Sequence, residues 1–296
     1  MNIFLSGGTG FVGGHLRRAL LEKGHRIRLL AHKRGDGFED GIEVVEGDVT
    51  RPDTFAGQLA GCEAAINLVG IIREFPAQGI TFEKLLVQAT RNMVDAAKGA
   101  GIKRYLHMSA LGTRPNATSA YHRSKFLAEE YVRASGLDYT IFRPSIIFGP
   151  KDDFINKLAG YIKGYPAVPV IGDGKYRLQP IAADDVARCF AMSLEMPETV
   201  GKTYEICGID RLTYNEMLDT IGRVLGKSHV AKIPNPLGIM KLVVPLLQGF
   251  SFFPITMDQI LMLVEENICD GAWRETFNFE PQRFEEGIRA YLRPHG

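Results

Sequence analysis

Residues 1–13, Met-Asn-Ile-Phe-Leu-Ser-Gly-Gly-Thr-Gly-Phe-Val-Gly, join a short apolar run to a cluster of glycines. The run 3–5 predicts a strand, and the glycines after it predict a tight turn. A pattern of apolar residues at helical spacing then begins: Phe11, Val12, Leu16, Ala19 and Leu20. A strand, a glycine turn and a helix in this order are typical of a doubly wound α/β domain, which holds a dinucleotide pyrophosphate at the helix N-terminus.

Each glycine of the spacing Gly7-x-x-Gly10-x-x-Gly13 has its own task in such a turn. Gly7 permits the turn itself, Gly10 lets the backbone approach a phosphate, and Gly13 lets the helix pack on the strand. The other residues predicted to contact the cofactor here are Thr9, Phe11 and Val12. The alternative is a glycine-rich turn in an ordinary βα unit.

Length and composition describe an ordinary globular chain of 296 residues with 45% hydrophobic and 23% charged residues. This length is enough for one large domain or two modest ones. The net charge of +1 gives no reason to expect nonspecific nucleic-acid binding. Because the first predicted strand begins at residue 2, no room is expected for a signal or transit peptide.

The four cysteines are far apart and form no Cys-x-x-Cys pair; they are Cys62, Cys189, Cys207 and Cys269. This spacing argues against a zinc site or a disulfide framework and fits a reducing compartment. We therefore expect a cytoplasmic protein, at most peripheral to the inner face of a membrane.

Strands and helices continue to alternate after the first βα unit. The apolar patterns predict strands at 26–31, 42–46, 64–69, 103–108 and 139–143, and helices at 82–98 and 121–134. This order implies a Rossmann-type, doubly wound parallel sheet with right-handed crossovers. We expect a dinucleotide-binding domain over 1–150, to which 178–200 returns, and a smaller α+β substrate or partner lobe over 151–296.

The end of the second strand predicts which dinucleotide is bound, because it faces the adenosine ribose. The strand is followed by His32-Lys33-Arg34, and the first acid, Asp36, comes past the usual place for a ribose ligand. Lys33 and Arg34 can pair with a 2′-phosphate, Arg34 through two parallel hydrogen bonds. The pattern favours NADP(H) over NAD(H), and the alternative is a solvated basic loop.

The ends of the next two strands complete the predicted cofactor groove. Asp48 and Val49 follow the third strand, where the adenine would lie. Leu68, Val69 and Gly70 follow the fourth strand and would pass beneath the cofactor.

Tyr121 and Lys125 are four residues apart on a predicted helix, so both project from one face. A tyrosine serves as acid or base for a carbonyl–alcohol couple best when its pKa falls from about 10 toward neutrality. A nearby ammonium group favours the phenolate and lowers that pKa. The pair therefore predicts a catalytic tyrosine and a lysine that also holds the nicotinamide ribose.

These motifs resemble the short-chain dehydrogenase/reductase superfamily, whose two hallmarks are a glycine turn and a Tyr-x-x-x-Lys pair. The segment Arg-Pro-Ser-Ile-Ile-Phe-Gly-Pro at 143–150 is similar to one in its extended branch, which contains sugar-nucleotide epimerases and dehydratases. The resemblance implies that Pro144 and Ile146 border the nicotinamide. It also implies a homodimer through two long helices, although a monomer remains open.

A closer likeness runs through 172–181 and 184–187, together with 108–112 and 121–125. These segments resemble the atypical group that includes the NADPH-binding accessory subunit of respiratory complex I and its bacterial relatives. In that subunit the nucleotide is thought to be structural. The absence of a predicted transit peptide fits a bacterial relative better than the mitochondrial subunit.

The chain departs from the superfamily pattern at the third catalytic position, a Ser or Thr after the fifth strand. Ser109 is the candidate for orienting the substrate oxygen, but an alternative alignment places Ala110 there, and Thr113 could then substitute. Loss of such a hydrogen-bond donor can cost orders of magnitude in rate.

A second departure concerns the arginine that grips the pyrophosphate in sugar-nucleotide epimerases. Arg177 lies one residue out of that register, which weakens the nucleotide-sugar interpretation. The acids at 184 and 185 are interpreted as helix caps. His107 and His122 are interpreted as structural, and no metal site is predicted.

The segment 238–255 is mostly apolar but is interrupted by Lys241, Pro245, Gln248 and Pro254. It is too short and too broken to span a bilayer. One interpretation is a buried or dimer-packing helix, and the other is a surface that docks on a membrane or a protein partner.

Two functional hypotheses follow from the sequence. The first is an NADP(H)-dependent oxidoreductase or epimerase-like enzyme acting on a small carbonyl or alcohol substrate. The second is an assembly or redox-sensing protein that binds NADPH and rarely turns it over, because a bound nucleotide can itself stabilise a fold.

Overall fold

A computed structural model of the chain describes residues 1–33, 38–248 and 255–293. The predicted cofactor residue Arg34 and the acid at 36 lie outside these residues, as does the part 249–254 of the apolar segment.

The strands are β1 (Asn2–Ser6), β2 (Arg26–Ala31), β3 (Ile42–Glu46), β4 (Ala64–Asn67), β5 (Arg104–Met108), β6 (Asp138–Pro144), β7 (Ile147–Phe148), β8 (Val168–Ile171), β9 (Arg177–Leu178), β10 (Ile181–Ala182), β11 (Lys202–Ile206), β12 (Leu212–Thr213) and β13 (Lys232–Asn235). The α-helices are α1 (Phe11–Glu22), α2 (Ala89–Gly99), α3 (Ala120–Arg133), α4 (Asp153–Gly164), α5 (Ala183–Ser193), α6 (Tyr214–Val224), α7 (Leu237–Leu247), α8 (Met257–Val264), α9 (Trp273–Phe277) and α10 (Phe284–Leu292).

A seven-stranded sheet has the order β11-β6-β5-β4-β1-β2-β3. Strands β1 to β6 run parallel, and β1 pairs on its two sides with β2 and β4. The strand order reverses at β1, because the chain first builds outward through β2 and β3 and then returns to begin β4. Ligands of doubly wound sheets bind at such a reversal, beyond the carboxyl ends of the strands. The predicted Rossmann-type α/β fold is confirmed.

The predicted strand 64–69 ends earlier, at Asn67, because the backbone N–H of Val69 bonds to the Asn67 side chain instead of continuing the ladder. The predicted helix 82–98 begins as a π-helical segment, Glu83–Gln88, before α2. Apolar periodicity does not distinguish these two helical forms over so short a stretch.

Contacts divide the chain into two compact units, Met1–Pro144 with Asp184–Glu205, and Ser145–Ala183 with Ile206–Gly296. The first unit packs an aromatic and aliphatic core between the sheet and α2, which includes Phe4, Phe55 and Tyr105. The described part of the second unit holds three two-stranded sheets, β10-β7, β12-β9 and β13-β8. Its own core gathers residues of α4, α6 and α10, including Leu158, Leu218 and Ile288.

Cys207 and Cys269 form a disulfide within the second unit, with their Cα atoms 6.2 Å apart. The expectation of no disulfide is therefore wrong for this pair. Spacing along the chain could not reveal it, because the two cysteines are 62 positions apart and only the fold brings them together. Cys62 and Cys189 are buried free thiols.

Within the described ranges, none of the helices combines the length and the apolar character that crossing a membrane requires.

Candidate functional site

The turn between β1 and α1 has a backbone geometry that requires glycine. Gly7 has a φ of +74°, and a Cβ there would lie 2.7 Å from the backbone carbon of Leu68. A Cβ on Gly13 would lie 2.5 Å from the backbone of Gly8. Gly10 is the N-cap of α1, and its N–H donates to the Gly7 carbonyl at 3.2 Å. The turn is thus packed so tightly against the backbone of Leu68 and Gly8 that neither Gly7 nor Gly13 can carry a side chain.

The N-terminus of α1 is suited to an anion. No side chain caps it, and its first turn contains no acidic residue. The backbone N–H groups of a helix's first turn lack intrahelical partners and carry partial positive charge. Thr9 and Gly10 are exposed here, and Phe11 is half-buried, so a ligand can reach these groups.

Two contacts that sequence reasoning missed hold α1 in place. Nδ1 of His15 lies 2.5 Å from the Asp184 carboxylate, which joins α1 to α5. The hydrogen bond from His15 lowers the pKa of Asp184. The Arg17 guanidinium donates to the carbonyl of Gly8. Asp184 therefore pairs with a neighbouring helix, although the sequence suggested only a helix cap.

His32 and Lys33, at the end of β2, are both exposed. Arg34, which was predicted with Lys33 to pair with the 2′-phosphate, lies outside the described residues.

The carboxylate of Asp48 accepts hydrogen bonds from the Thr50 backbone and hydroxyl, each at 2.8 Å. Burial alone would raise the pKa of Asp48, but these two bonds bring it below its ordinary value. Val49 is buried, and its carbonyl accepts from the Asn92 amide at 2.9 Å. The predicted adenine contacts therefore lie in a loop with fixed geometry.

The turn after β4 is shaped by a buried amide. Asn67 accepts hydrogen bonds from the Ser6 hydroxyl at 2.9 Å and from the Val69 N–H at 3.1 Å. Leu68 is buried, and its N–H bonds to the Ser6 carbonyl. Gly70 is exposed. The predicted floor of the groove thus begins beside the glycine turn, whose Gly7 approaches the Leu68 backbone.

Lys125 lies on α3 with only 2% of its surface exposed. Its ammonium donates to the carbonyl of Met108, the last residue of β5, at 2.9 Å. The same Nζ would lie 3.5 Å from a Cβ placed on Gly70. Burial lowers the pKa of Lys125 to about 8, although the Glu129 charge opposes that shift. The amine therefore lies at the carboxyl ends of β4 and β5, where the sheet's ligand is expected.

Tyr121 lies one turn before Lys125 on α3. Its ring is half-buried and meets Phe82 edge-on, with the ring centroids 5.7 Å apart. Burial raises the pKa of the Tyr121 phenol above its ordinary value. The sequence predicted the opposite direction, because it placed the lysine charge beside the phenol. In the structure, the Lys125 ammonium donates to the backbone carbonyl of Met108.

The loop after β5 brings two hydroxyl groups together. Ser109 Oγ lies 3.3 Å from Thr113 Oγ1, and both side chains are buried. The Leu111 N–H donates to the carbonyl of Pro144 at 2.9 Å, which holds this loop against the end of β6. Ala110 is half-buried between them. The structure thus supplies a pair of hydroxyls at this strand end.

Glu129 was missed as a positioning residue. It is fully buried on α3, and its carboxylate accepts two parallel hydrogen bonds from Arg143, at 2.8 and 2.7 Å. Arg133 donates to it as well, at 2.6 Å. The sequence spacing could have indicated this role, because Glu129 lies four residues after Lys125 and therefore on the same face of α3 as Tyr121 and Lys125. The Glu129–Arg143 ion pair joins α3 to β6 and thereby positions Tyr121 and Lys125.

Ile146, Arg177 and His107, which the sequence also singled out, each contact other protein groups. Ile146 belongs to the second unit, where its N–H bonds to the Asn267 side chain at 2.9 Å. Arg177 forms two hydrogen bonds with the Glu266 carboxylate, at 2.6 and 2.8 Å. His107 is fully buried on β5, and burial holds its pKa well below the ordinary value.

Comparison with protein families shows a match over residues 7–197, well over half of the chain, to a family described as NAD(P)H-binding.

Two curated relatives illustrate the range of proteins similar to this chain. It is 30% identical over 240 residues to the mitochondrial NADH dehydrogenase (ubiquinone) 1 alpha subcomplex subunit 9 of Mus musculus, covering 78% of this chain and 62% of the subunit. The chain thus spans less than two thirds of that subunit's length. It is also 30% identical over 242 residues to the ceramide reductase of Caulobacter vibrioides, covering 79% of this chain and 74% of the reductase.

Among solved structures, the UDP-glucose 4-epimerase of Thermotoga maritima has a similar fold, with a TM-score of 0.77. The match covers 99% of this chain and 97% of the epimerase at 19% identity. At this identity the likeness concerns the fold alone.

Proposed function

Since this chain belongs to the NAD(P)H-binding family, we propose that it is an NADP(H)-dependent oxidoreductase of the short-chain dehydrogenase/reductase type. Its substrate would carry a carbonyl group or the corresponding alcohol. The observation that carries this proposal is the position of the Lys125 ammonium at the carboxyl ends of β4 and β5, beside Gly70.

The residues present fit a dinucleotide. A Cβ on Gly7 or Gly13 would collide with the backbone of Leu68 or Gly8, so only glycine keeps the turn tight there, and the exposed Gly10 lets the backbone approach a pyrophosphate. The uncapped N-terminus of α1 would place its N–H groups toward the phosphate oxygens. Exposed Lys33, with Arg34 next to it in the sequence, would face the adenosine ribose.

When bound, NADPH would supply a hydride from nicotinamide C4 to the carbonyl carbon and leave as NADP⁺. Tyr121 would donate its phenolic proton to the carbonyl oxygen, so that hydride and proton together yield the alcohol. Because burial raises the pKa of Tyr121, its phenol is protonated at neutral pH, which suits an acid in the direction of reduction. Ser109 and Thr113 would orient the oxygen, and Lys125 would hold the ribose.

We expect Tyr121→Phe to lower the rate of NADPH oxidation about a hundredfold, because loss of a general acid typically costs this much or more. The assay follows NADPH absorbance with a panel of carbonyl compounds. A ceramide with one hydroxyl oxidised to a ketone is a suitable first substrate, given the 30% identity to a protein named ceramide reductase. Calorimetry should show that NADPH affinity is retained in the variant. Equal rates in the two proteins would exclude Tyr121 as the proton donor.

The cofactor preference is tested separately. Lys33→Ala combined with Arg34→Ala is expected to weaken NADPH binding about tenfold, because each cation would pair with the 2′-phosphate. NADH binding should hardly change, since NADH lacks that phosphate. Titration of both nucleotides into both proteins gives the four dissociation constants. Equal losses for the two nucleotides would contradict the proposed preference.

A second candidate is an assembly or redox-sensing protein that keeps NADPH as a structural ligand. The 30% identity to a complex I subunit supports it, as does Ala110 at the alternative third catalytic position. Tight NADPH binding without turnover on any carbonyl compound would favour this candidate over the enzyme.

A further inference from the structure

Helix α7 is apolar on both of its faces. Its inner face carries Leu237, Met240 and Val244, which belong to a small core with Ile171 of β8 and Ile260 of α8. A helix of a water-soluble protein normally presents polar residues on the face opposite its core contacts. The face of α7 opposite this core is apolar instead.

The outer face presents four large aliphatic side chains at helical spacing. Ile239, Leu242 and Leu246 are 61%, 73% and 75% exposed, and Val243 lies among them at 39%. We call this set the outer face of α7. Scattered exposed leucines are ordinary, but a contiguous aliphatic row of this kind marks an interaction surface.

The charged residues that surround α7 in the sequence are basic. The sequence holds no acidic residue between Asp219 and Asp258. The same interval contains Arg223, Lys227, Lys232 and Lys241. Arg223 and Lys232 pair with Glu285 and Asp219, whereas Lys227 and Lys241 are exposed and make no ion pair with any residue that the structure describes.

We propose that the outer face of α7 docks on the surface of an anionic lipid bilayer. The helix would lie in the plane of the interface, with its aliphatic side chains among the acyl chains and Lys241 beside the lipid phosphates. Positive charge near an anionic leaflet adds attraction to apolar burial.

The chemistry of the face favours lipid over a protein partner. Protein–protein interfaces are enriched in Tyr, Trp and Arg at their centres and contain several direct hydrogen bonds between the partners. The outer face of α7 has no aromatic or hydrogen-bonding side chain and meets the solvent as branched aliphatic groups with one neighbouring ammonium. These groups complement acyl chains and lipid phosphates.

The test is flotation of the full chain with vesicles. We expect it to float with vesicles of phosphatidylcholine mixed with phosphatidylglycerol and to bind pure phosphatidylcholine more weakly, with binding falling as salt rises. Leu242→Glu combined with Leu246→Glu should weaken binding about tenfold, because it replaces two apolar side chains by charges that the lipid phosphates repel. Lys241→Glu should weaken binding to the anionic vesicles while leaving the aliphatic row intact.

Leu127→Glu is the matched control, because Leu127 is an exposed helical leucine of the first unit, 50% exposed. It should float like the unaltered protein. Failure of the unaltered protein to float, equal flotation of the double variant, or equal binding to both kinds of vesicle would overturn the proposal. Self-association that the double variant abolishes, without any flotation, would assign the face to a second copy of the chain and also overturn it. NADPH binding measured on the same proteins reports separately on the proposed function.

Discussion

Gly13→Ala is expected to weaken NADPH binding about a thousandfold, a loss of about 4 kcal/mol in binding free energy. The added Cβ would lie 2.5 Å from the carbonyl carbon, Cα and oxygen of Gly8. These are backbone atoms of a closed turn, so no side chain can move aside to relieve the contact. The N-terminus of α1 must shift away from the turn, and the N–H groups that would hold the pyrophosphate shift with it.

The neighbouring glycine provides a matched control. A Cβ on Gly14 meets nothing within 4 Å, so Gly14→Ala fits the structure without strain. Because alanine favours a helix over glycine, this variant should be more stable by about 0.5–1 kcal/mol and bind NADPH normally. Calorimetric titration gives the affinities, and thermal unfolding gives the stabilities. Similar affinities for the two variants would show that the turn does not carry the cofactor.

The glycine turn was predictable because its cause is local. Chirality and excluded volume demand glycine where φ is positive or where backbones touch, and Gly7 and Gly13 satisfy these two conditions in the structure. The strand 26–31 was predictable because its apolar residues are buried within a parallel sheet, whereas in the edge strand 42–46 only Val45 is buried. Local patterns therefore located β1, α1, β2 and β3, whereas α5 and β11 of the first unit were not predicted.

Contacts between distant segments could not be derived in this way. The His15–Asp184 pair joins residues that are 169 positions apart in the sequence. The Cys207–Cys269 disulfide joins residues that are 62 positions apart. The raised pKa of Tyr121 has the same origin, because it depends on how much protein surrounds the ring and not on the spacing to Lys125. The interpretation of 238–255 as a buried or dimer-packing helix stays a prediction, because the outer face of α7 is exposed in the single chain. Apolar composition alone does not reveal which face of a helix is covered.

Glu129→Gln is expected to destabilise the chain by about 3 kcal/mol, because removing one partner of a buried ion pair leaves the other charges uncompensated. Arg143 and Arg133 would both lose a carboxylate that they contact at 2.7 and 2.6 Å. Glu130→Gln is the control, since Glu130 is exposed and pairs only with Arg133 in the described structure. An exposed pair of this kind contributes at most about 1 kcal/mol. Denaturant unfolding of the two variants measures the difference.

A second readout separates a positioning role at the site from simple loss of stability. The Glu129 charge raises the pKa of Lys125, against the larger effect of burial, which lowers it to about 8. Without that charge the pKa of Lys125 should fall further, so the amine would lose its proton at a lower pH in Glu129→Gln than in Glu130→Gln. Titration of the Lys125 side chain by NMR in the folded variants reports this shift directly. An unchanged titration would mean that Glu129 holds α3 to β6 without influencing the charge of the lysine that is proposed to hold the ribose.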